Sequence, residues 1–379
     1  MHRSEDSSNV DDVVQQAEAK IAKEERTRKF WPRFWLVMGI LPFALPLLCY
    51  GCIRVVNPNA GAAKIRISQE TTHITGPLDA DGYVDYVAAI NLRYGEGVTP
   101  ENNAAVLILQ AVGPPEGLTD ITRGDFYAQL GIEPLDPHGQ YFVSWEEFST
   151  QHPDKLPPEM PASDEWLDSV EPTEDDTAAF NDAMNQSAAD REWETFHQLL
   201  HEHLQSEPRL SSEIFDVQMS VAMHWPWNES DFPAVAEWLE MNDAAFDLSV
   251  RASQRSRFFI PLYTEKEALR LFDASFDPTI NEVRSLARGL AIRAMYRLRS
   301  GDVEGAWEDV LAIHRLARLT GQDPTIIGAL VAYAVEGIAI QIGSQMTAAD
   351  LPPEMFAQMR EDLEALPPIA DIADKLDRS

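Results

Sequence analysis

Twenty consecutive residues without a formal charge, Phe34 to Ile53 (FWLVMGILPFALPLLCYGCI), set the first constraint on this chain. That is the length needed to cross a hydrocarbon core of ~30 Å as a helix. Trp31 and Trp35 at one end and Tyr50 at the other are placed where amphipathic rings favour the membrane interface. Pro42 and Pro46 would break a soluble helix but are tolerated in a membrane helix, where they kink it. The expectation is a single transmembrane helix over 34–55. The rival readings are a lipoprotein signal around Cys49 and Cys52 and a cleaved signal peptide, which the long polar lead of residues 1–33 disfavours.

The flanks orient the span. Six basic residues lie between Lys20 and Arg33, against Glu24 and Glu25; beyond it Arg54, Lys64 and Arg66 face one glutamate, Glu70. Positive residues stay on the cytoplasmic side, so the N-terminus is expected in the cytoplasm, the span in the inner (cytoplasmic) membrane, and the body outside the cytoplasm. The whole chain has 379 residues with Lys plus Arg 30 and Asp plus Glu 62, a net charge of −32. Nucleic acid is therefore excluded as an expected partner, because phosphate binding needs a basic footprint.

Past the span the periodicity is helical almost throughout. Tyr83, Val84, Tyr86, Val87, Ile90 and Tyr94 recur at helix spacing, with Asp81 as the expected cap. Thr99-Pro100 reads as the start of a second helix through Ala104–Val112, since proline suits the first helical position. Between Asp120 and Thr150 one short helix is expected, around Phe126–Leu130. Residues 154–176 hold nine acidic residues and one lysine and read as a solvated linker. Helical periodicity resumes after Thr177: over 178–204, from Ser212 to about Met223, from Pro233 to about Arg251, from Pro278 to a turn at Gly301-Asp302, and from there to Gly321. Further helices begin at Asp323-Pro324 and at Pro353. The apolar run Ile326–Ile342 is short for a span and carries Glu336, so it is expected to be a core helix. The predicted fold is all-α, with a helical, repeat-like body divided into 56–153, the linker 154–176, and 177–379.

In Ala291–Gly321 (AIRAMYRLRSGDVEGAWEDVLAIHRLARLTG) two helices meet at Gly301-Asp302, with small Ala294 and Ala306 where they approach. This resembles a tetratricopeptide-type helix–turn–helix, although Arg297 stands where an aromatic is usual. Trp307 is expected to be buried, against the helix that carries Leu290, Ala294 and Leu298. Three longer stretches, Thr72–Pro114, Trp225–Leu262 and Ile292–Ile340, resemble a set of uncharacterised proteins of planctomycete bacteria. The resemblance implies an N-terminal anchor and a helical body, and brings no site residues.

Candidate chemistry is sparse. His197 and His201 stand one helical turn apart and could offer two ligands to one metal ion, but H-E-x-x-H is missing. Asp79, Asp81 and Asp85 are not an EF-hand, because Val84 and Ile90 occupy its fixed glycine and glutamate positions. No phosphate-binding glycine loop or nucleophile elbow is present, and no cofactor is expected. Arg251–Arg299 carries ten basic residues against five acidic. Arg284 with Arg288, and Arg293 with Arg297, pair on helix faces as candidate contacts for an anion or a partner, with internal pairing as the competing role. The expected function is protein–protein contact by a membrane-anchored helical protein. The alternative is an enzyme or metal-binding protein with its site around His197 and His201.

Overall fold

The computed structural model describes residues 74–79, 82–115, 117–159, 195, 198–200, 210–263, 278–347, 349 and 351–371. The chain divides into two units, Met1–Thr75 and Gly76–Ser379, and the fold below is that of the second. The expected transmembrane stretch 34–55, the histidines at 197 and 201 and most of the expected linker lie outside the described residues.

Ten helices have defined bounds among the described residues, and no strand is present there. They are α1 (Tyr86–Gly95), α2 (Ala104–Val112), α3 (Asp120–Leu130), α4 (Trp145–Gln151), α5 (Ser211–His224), α6 (Pro233–Ser253), α7 (Pro278–Ser300), α8 (Val303–Thr320), α9 (Ile326–Thr347) and α10 (Pro353–Glu364). The all-α expectation holds. Proline stands first in α6, α7 and α10, where its missing N–H costs nothing. Gly301 takes a φ of 85° between α7 and α8, and Asp302 caps α8 by accepting the Gly305 N–H.

Three starts differ from expectation, each for a local reason. Asp79 exchanges hydrogen bonds with Gly82 and Tyr83, and Leu78 is bridged to Val84, so α1 waits for Asp85, which accepts the Ala88 N–H. Thr99 and Asn102 hydrogen-bond each other in a turn, so α2 starts after Asn103. α3 begins at Asp120 rather than near Phe126, because Thr119 and Thr122 form a reciprocal cap. α4, capped by Ser144 over the Glu147 N–H, was not expected.

α8 is packed between α7 and α9, and α7 also meets α9 and α5. α6 carries α2, which is apolar except for the exposed Gln110 and whose Ala104 to Leu109 are all buried, as befits a helix that is hydrophobic nearly all round. Regions on both sides of the expected linker thus share one core. The extended segment Phe258–Leu262 runs past α1 and α2 and is held by two buried asparagines. Asn103 accepts from Phe259 N–H at 3.0 Å and donates to Phe259 O at 2.8 Å; Asn91 does the same with Leu262 at 2.8 and 2.9 Å. A primary amide is donor and acceptor at once, so it can stand in for a neighbouring strand.

Candidate functional site

Positions equidistant from the turn of an antiparallel helix hairpin lie side by side. Arg293 and Asp309 are such a pair about Gly301, as are Arg297 and Gly305. Accordingly Arg293 on α7 forks onto Asp309 on α8, with Nε to Oδ2 at 3.1 Å and Nη2 to Oδ1 at 2.7 Å. Arg297 Nη1 reaches Asp309 Oδ2 at 2.9 Å and Gly305 O at 3.1 Å. Arg293 Nη1 also donates to Asp243 at 3.0 Å and Asp247 at 2.9 Å on α6. The Arg293 guanidinium lies 5.5 Å from the centre of the Phe246 ring.

Asp309 is fully buried and Arg293 nearly so. Burial pushes the Asp309 carboxyl up, to about 6, against the pull of Arg293 and Arg297. For Arg293 burial acts downward, and its three aspartates outweigh it, so the guanidinium stays charged. Two of the four candidate arginines are thus committed to binding three helices together. Arg288 is half-buried, with its guanidinium 5.3 Å from the centre of the Trp145 ring, while Arg284 is exposed. Burial lowers the Arg288 pKa, Arg284 adds to this, and Glu146 opposes it.

A second polar cluster ties α8 to α9. Glu336 Oε2 is 3.0 Å from His314 Nδ1, and Arg318 pairs with both oxygens of the same carboxylate. Burial pushes Glu336 up, but the hydrogen bonds and charges of His314 and Arg318 prevail and hold it below the usual range. Arg318 Nε also donates to Pro367 O at 3.0 Å.

Clefts open on this body among the described residues, and three of them bear on function. One of about 800 Å³ lies between α1, α3 and the extended segment, lined by Asn91, Leu92, Phe126 and Tyr263 among others. A second, about 600 Å³, has Glu229, Glu237, Glu240 and Asp243 along with Arg293 and Arg297. The third, about 790 Å³, lies between the end of α6, the end of α8 and the chain after α10. Among the described residues no group of three or more His, Cys, Asp or Glu side chains could hold a metal ion.

Among the described residues, a row of exposed apolar side chains runs along α9. Ile326, Leu330, Tyr333 and Ile340 are 46%, 55%, 40% and 59% exposed. Ala334, Gly337 and Ser344 are exposed beside them. The opposite face, with Val331, Val335, Ala339, Ile342 and Met346, is buried. α9 is the one helix among the described residues that is long and apolar enough to cross a membrane, and 39% of its most apolar window is buried. The core reading of this segment holds for one face only. Its 4-3-4-3-4 spacing (326, 330, 333, 337, 340, 344) is visible in the sequence, but an apolar run does not disclose which side its own fold leaves uncovered. Comparison with known protein families, with characterised proteins and with solved structures finds no match to this chain.

Proposed function

We propose that this is a membrane-anchored helical protein of the cell envelope that acts through protein–protein contacts, and that α9 pairs it with a second copy of itself. The anchor is the stretch 34–55, uncharged from Phe34 to Ile53, with the N-terminus in the cytoplasm and the body beyond the inner membrane. The resemblance to planctomycete membrane-anchored proteins and the tetratricopeptide-like α7–α8 hairpin support the same reading.

The observation that carries self-pairing is the symmetry of the exposed stripe in side-chain size. In an antiparallel pair centred on position 335, Leu330 faces Ile340 of the other copy, Tyr333 faces Gly337, and Ile326 faces Ser344. Two large residues each meet a small one and two aliphatic ones meet each other, which is what an isologous two-fold contact requires. The stripe carries no formal charge, whereas the chain as a whole is at −32. Like charges on two copies do not meet across it.

A helix of 22 residues is about 33 Å long. One such seam falls short of the ~800 Å² per partner of a standard interface. Tethering both copies in one membrane compensates, by raising their effective concentration.

The test is cross-linking in membranes of the full chain, with Cys49 and Cys52 changed to serine and Gly337→Cys introduced. A short bis-maleimide is expected to give dimers, which Leu330→Glu abolishes, and Arg299→Cys is expected to give none. Monomer alone at Gly337→Cys, or dimers indifferent to Leu330→Glu, overturns self-pairing. Insertion of α9 residues into lipid vesicles, read from an environment-sensitive probe at position 337, would replace it with a membrane-facing role.

A further inference from the structure

We infer that the cleft between α6, α8 and the chain after α10 is a binding site for a small organic oxyanion, a carboxylate or a phosphate monoester, and that Arg255 and Arg315 hold its charge. Three arginines line the cleft: Arg255, Arg315 and Arg318. Arg318 is already spent on Glu336, His314 O and Pro367 O. Arg255 and Arg315 are half-buried, and among the described residues neither guanidinium makes a hydrogen bond or an ion pair. Arg255 attracts the Glu101 carboxylate, without a hydrogen bond to it.

Two unpaired, half-buried arginines in one cleft are anomalous in a chain with 62 acidic residues against 30 basic ones. Removing a guanidinium from water without a partner carries a cost. Capping of the helix ends does not explain them, because backbone N–H groups already occupy the last carbonyls. Gln254 N–H bonds to Arg251 O and Ala252 O, and Arg255 N–H to Ala252 O; Gly321 N–H bonds to Ala317 O and Gln322 N–H to Leu319 O. The one carboxylate lining the cleft, Asp362, accepts from Trp307 Nε1 at 2.8 Å and Gln358 Nε2 at 3.0 Å.

The walls are fixed before any ligand arrives. Gln322 accepts the Phe258 N–H at 3.0 Å and donates to Ser256 O at 3.2 Å, which holds the segment that follows Arg255. On the far side, Arg318 holds Pro367 O and Tyr333 holds Ala370 O at 3.1 Å. Leu319, Leu366, Pro367 and Pro368 add an apolar wall. A volume of about 790 Å³ lined by an apolar wall and two unpaired arginines is the size and make-up of a small-molecule site. A compact anion suits it better than a polyanion, which the surrounding negative surface would repel.

The experiment titrates the detergent-solubilised full chain with phenyl phosphate and with benzoate, using sodium chloride at equal ionic strength and neutral benzamide as references, and follows binding calorimetrically. At least one of the two anions is expected to bind saturably, and the stronger identifies the ligand as phosphate or carboxylate. Arg315→Gln and Arg255→Gln should each weaken binding about tenfold or more, the loss expected for a charge-assisted hydrogen bond. Arg315→Lys, which keeps the charge without the fork, should fall between, and exposed Arg299→Gln should bind as the parent does. Saturable binding by neither anion overturns the inference. So does binding that survives unchanged in both glutamine variants, with the parent circular dichroism retained.

Discussion

Arg293 and Asp309 share two hydrogen bonds, of 3.1 and 2.7 Å, across the α7–α8 hairpin, and the carboxylate between them has no exposed surface. Removing Asp309 takes from Arg293 its one fully buried partner and leaves it the mostly exposed Asp243 and Asp247; breaking a buried pair typically costs ~3–5 kcal/mol. Asp309→Ala is expected to lose an amount toward the lower end of that range in chemical denaturation, since Arg293 keeps two partners and Arg297, which also loses Asp309, keeps Gly305 O. Asp243→Ala removes a partner that is mostly exposed and should cost less than about 1 kcal/mol. Equal losses in the two variants would mean that the network does not centre on Asp309.

Trp307 is 4% exposed, so it is a core residue rather than a surface anchor, as the spacing of α8 predicts. Its indole N–H points to Asp362 on α10, a contact with the last helix that the spacing did not foretell. Trp307→Phe keeps most of the apolar bulk and loses the hydrogen bond, and should cost about 1 kcal/mol. Trp307→Ala empties the site and should cost ~3–5 kcal/mol. Urea midpoints of the two variants separate the contributions. Near-equal losses would place the stabilisation in the hydrogen bond rather than in packing.

Glu336 has a pKa lowered on folding, so it binds its proton less readily in the folded than in the unfolded state. Its contribution is fully present above the unfolded value of about 4.3 and is lost as pH falls through the folded value. Asp309, raised to about 6, acts in the opposite sense between its unfolded and folded values, where stability falls as pH rises. The two are separated by comparing the parent with Glu336→Gln from pH 3 to 7. The variant should be less stable near neutrality, and the gap in thermal midpoint should close on acidification. A gap that is constant with pH would deny the carboxylate this role.

Helix punctuation was readable wherever one residue sufficed to write it: Pro233, Pro278 and Pro353 start helices, and Gly301 ends one. It failed where a start depends on pairing. Thr99-Pro100 has the composition of a helix opening, but Asn103 both caps α2 and holds Phe259, and nothing local discloses a partner 156 residues away. Ser144 with Glu147 is a capping signal for α4, set in a region whose mixed apolar pattern obscures the helix. The arginine island was legible as charge but not as pairing, because an acidic chain offers each arginine many partners. The symmetry of 293 and 309 about 301 could have singled out one of them. The unpaired arginines of the cleft beside α10 were not legible, since Arg255 and Arg315 line one cleft only because the ends of α6 and α8 lie beside each other.

α6 and α7 approach so closely that a β-carbon on Gly289 would collide with the edge of the Phe246 ring. Phe246 is fully buried, packs edge-on against Phe142 and Trp238, and lies under the Arg293 guanidinium. With neighbours on these sides the ring has little room to yield. Gly289→Ala would gain helix propensity at an exposed site, by ~1 kcal/mol. Here overpacking should outweigh the gain and leave a net loss of roughly 1–2 kcal/mol. Phe246→Leu alone should also destabilise, by leaving a void beneath Arg293. Combined, the smaller side chain makes room for the new methyl, so the double variant should be more stable than the sum of the two losses implies. That coupling, measured as a double-mutant cycle in urea, is the expected signature of direct contact. Additive losses would mean that Gly289 and Phe246 do not touch, and that something other than this ring sets the spacing of α6 and α7.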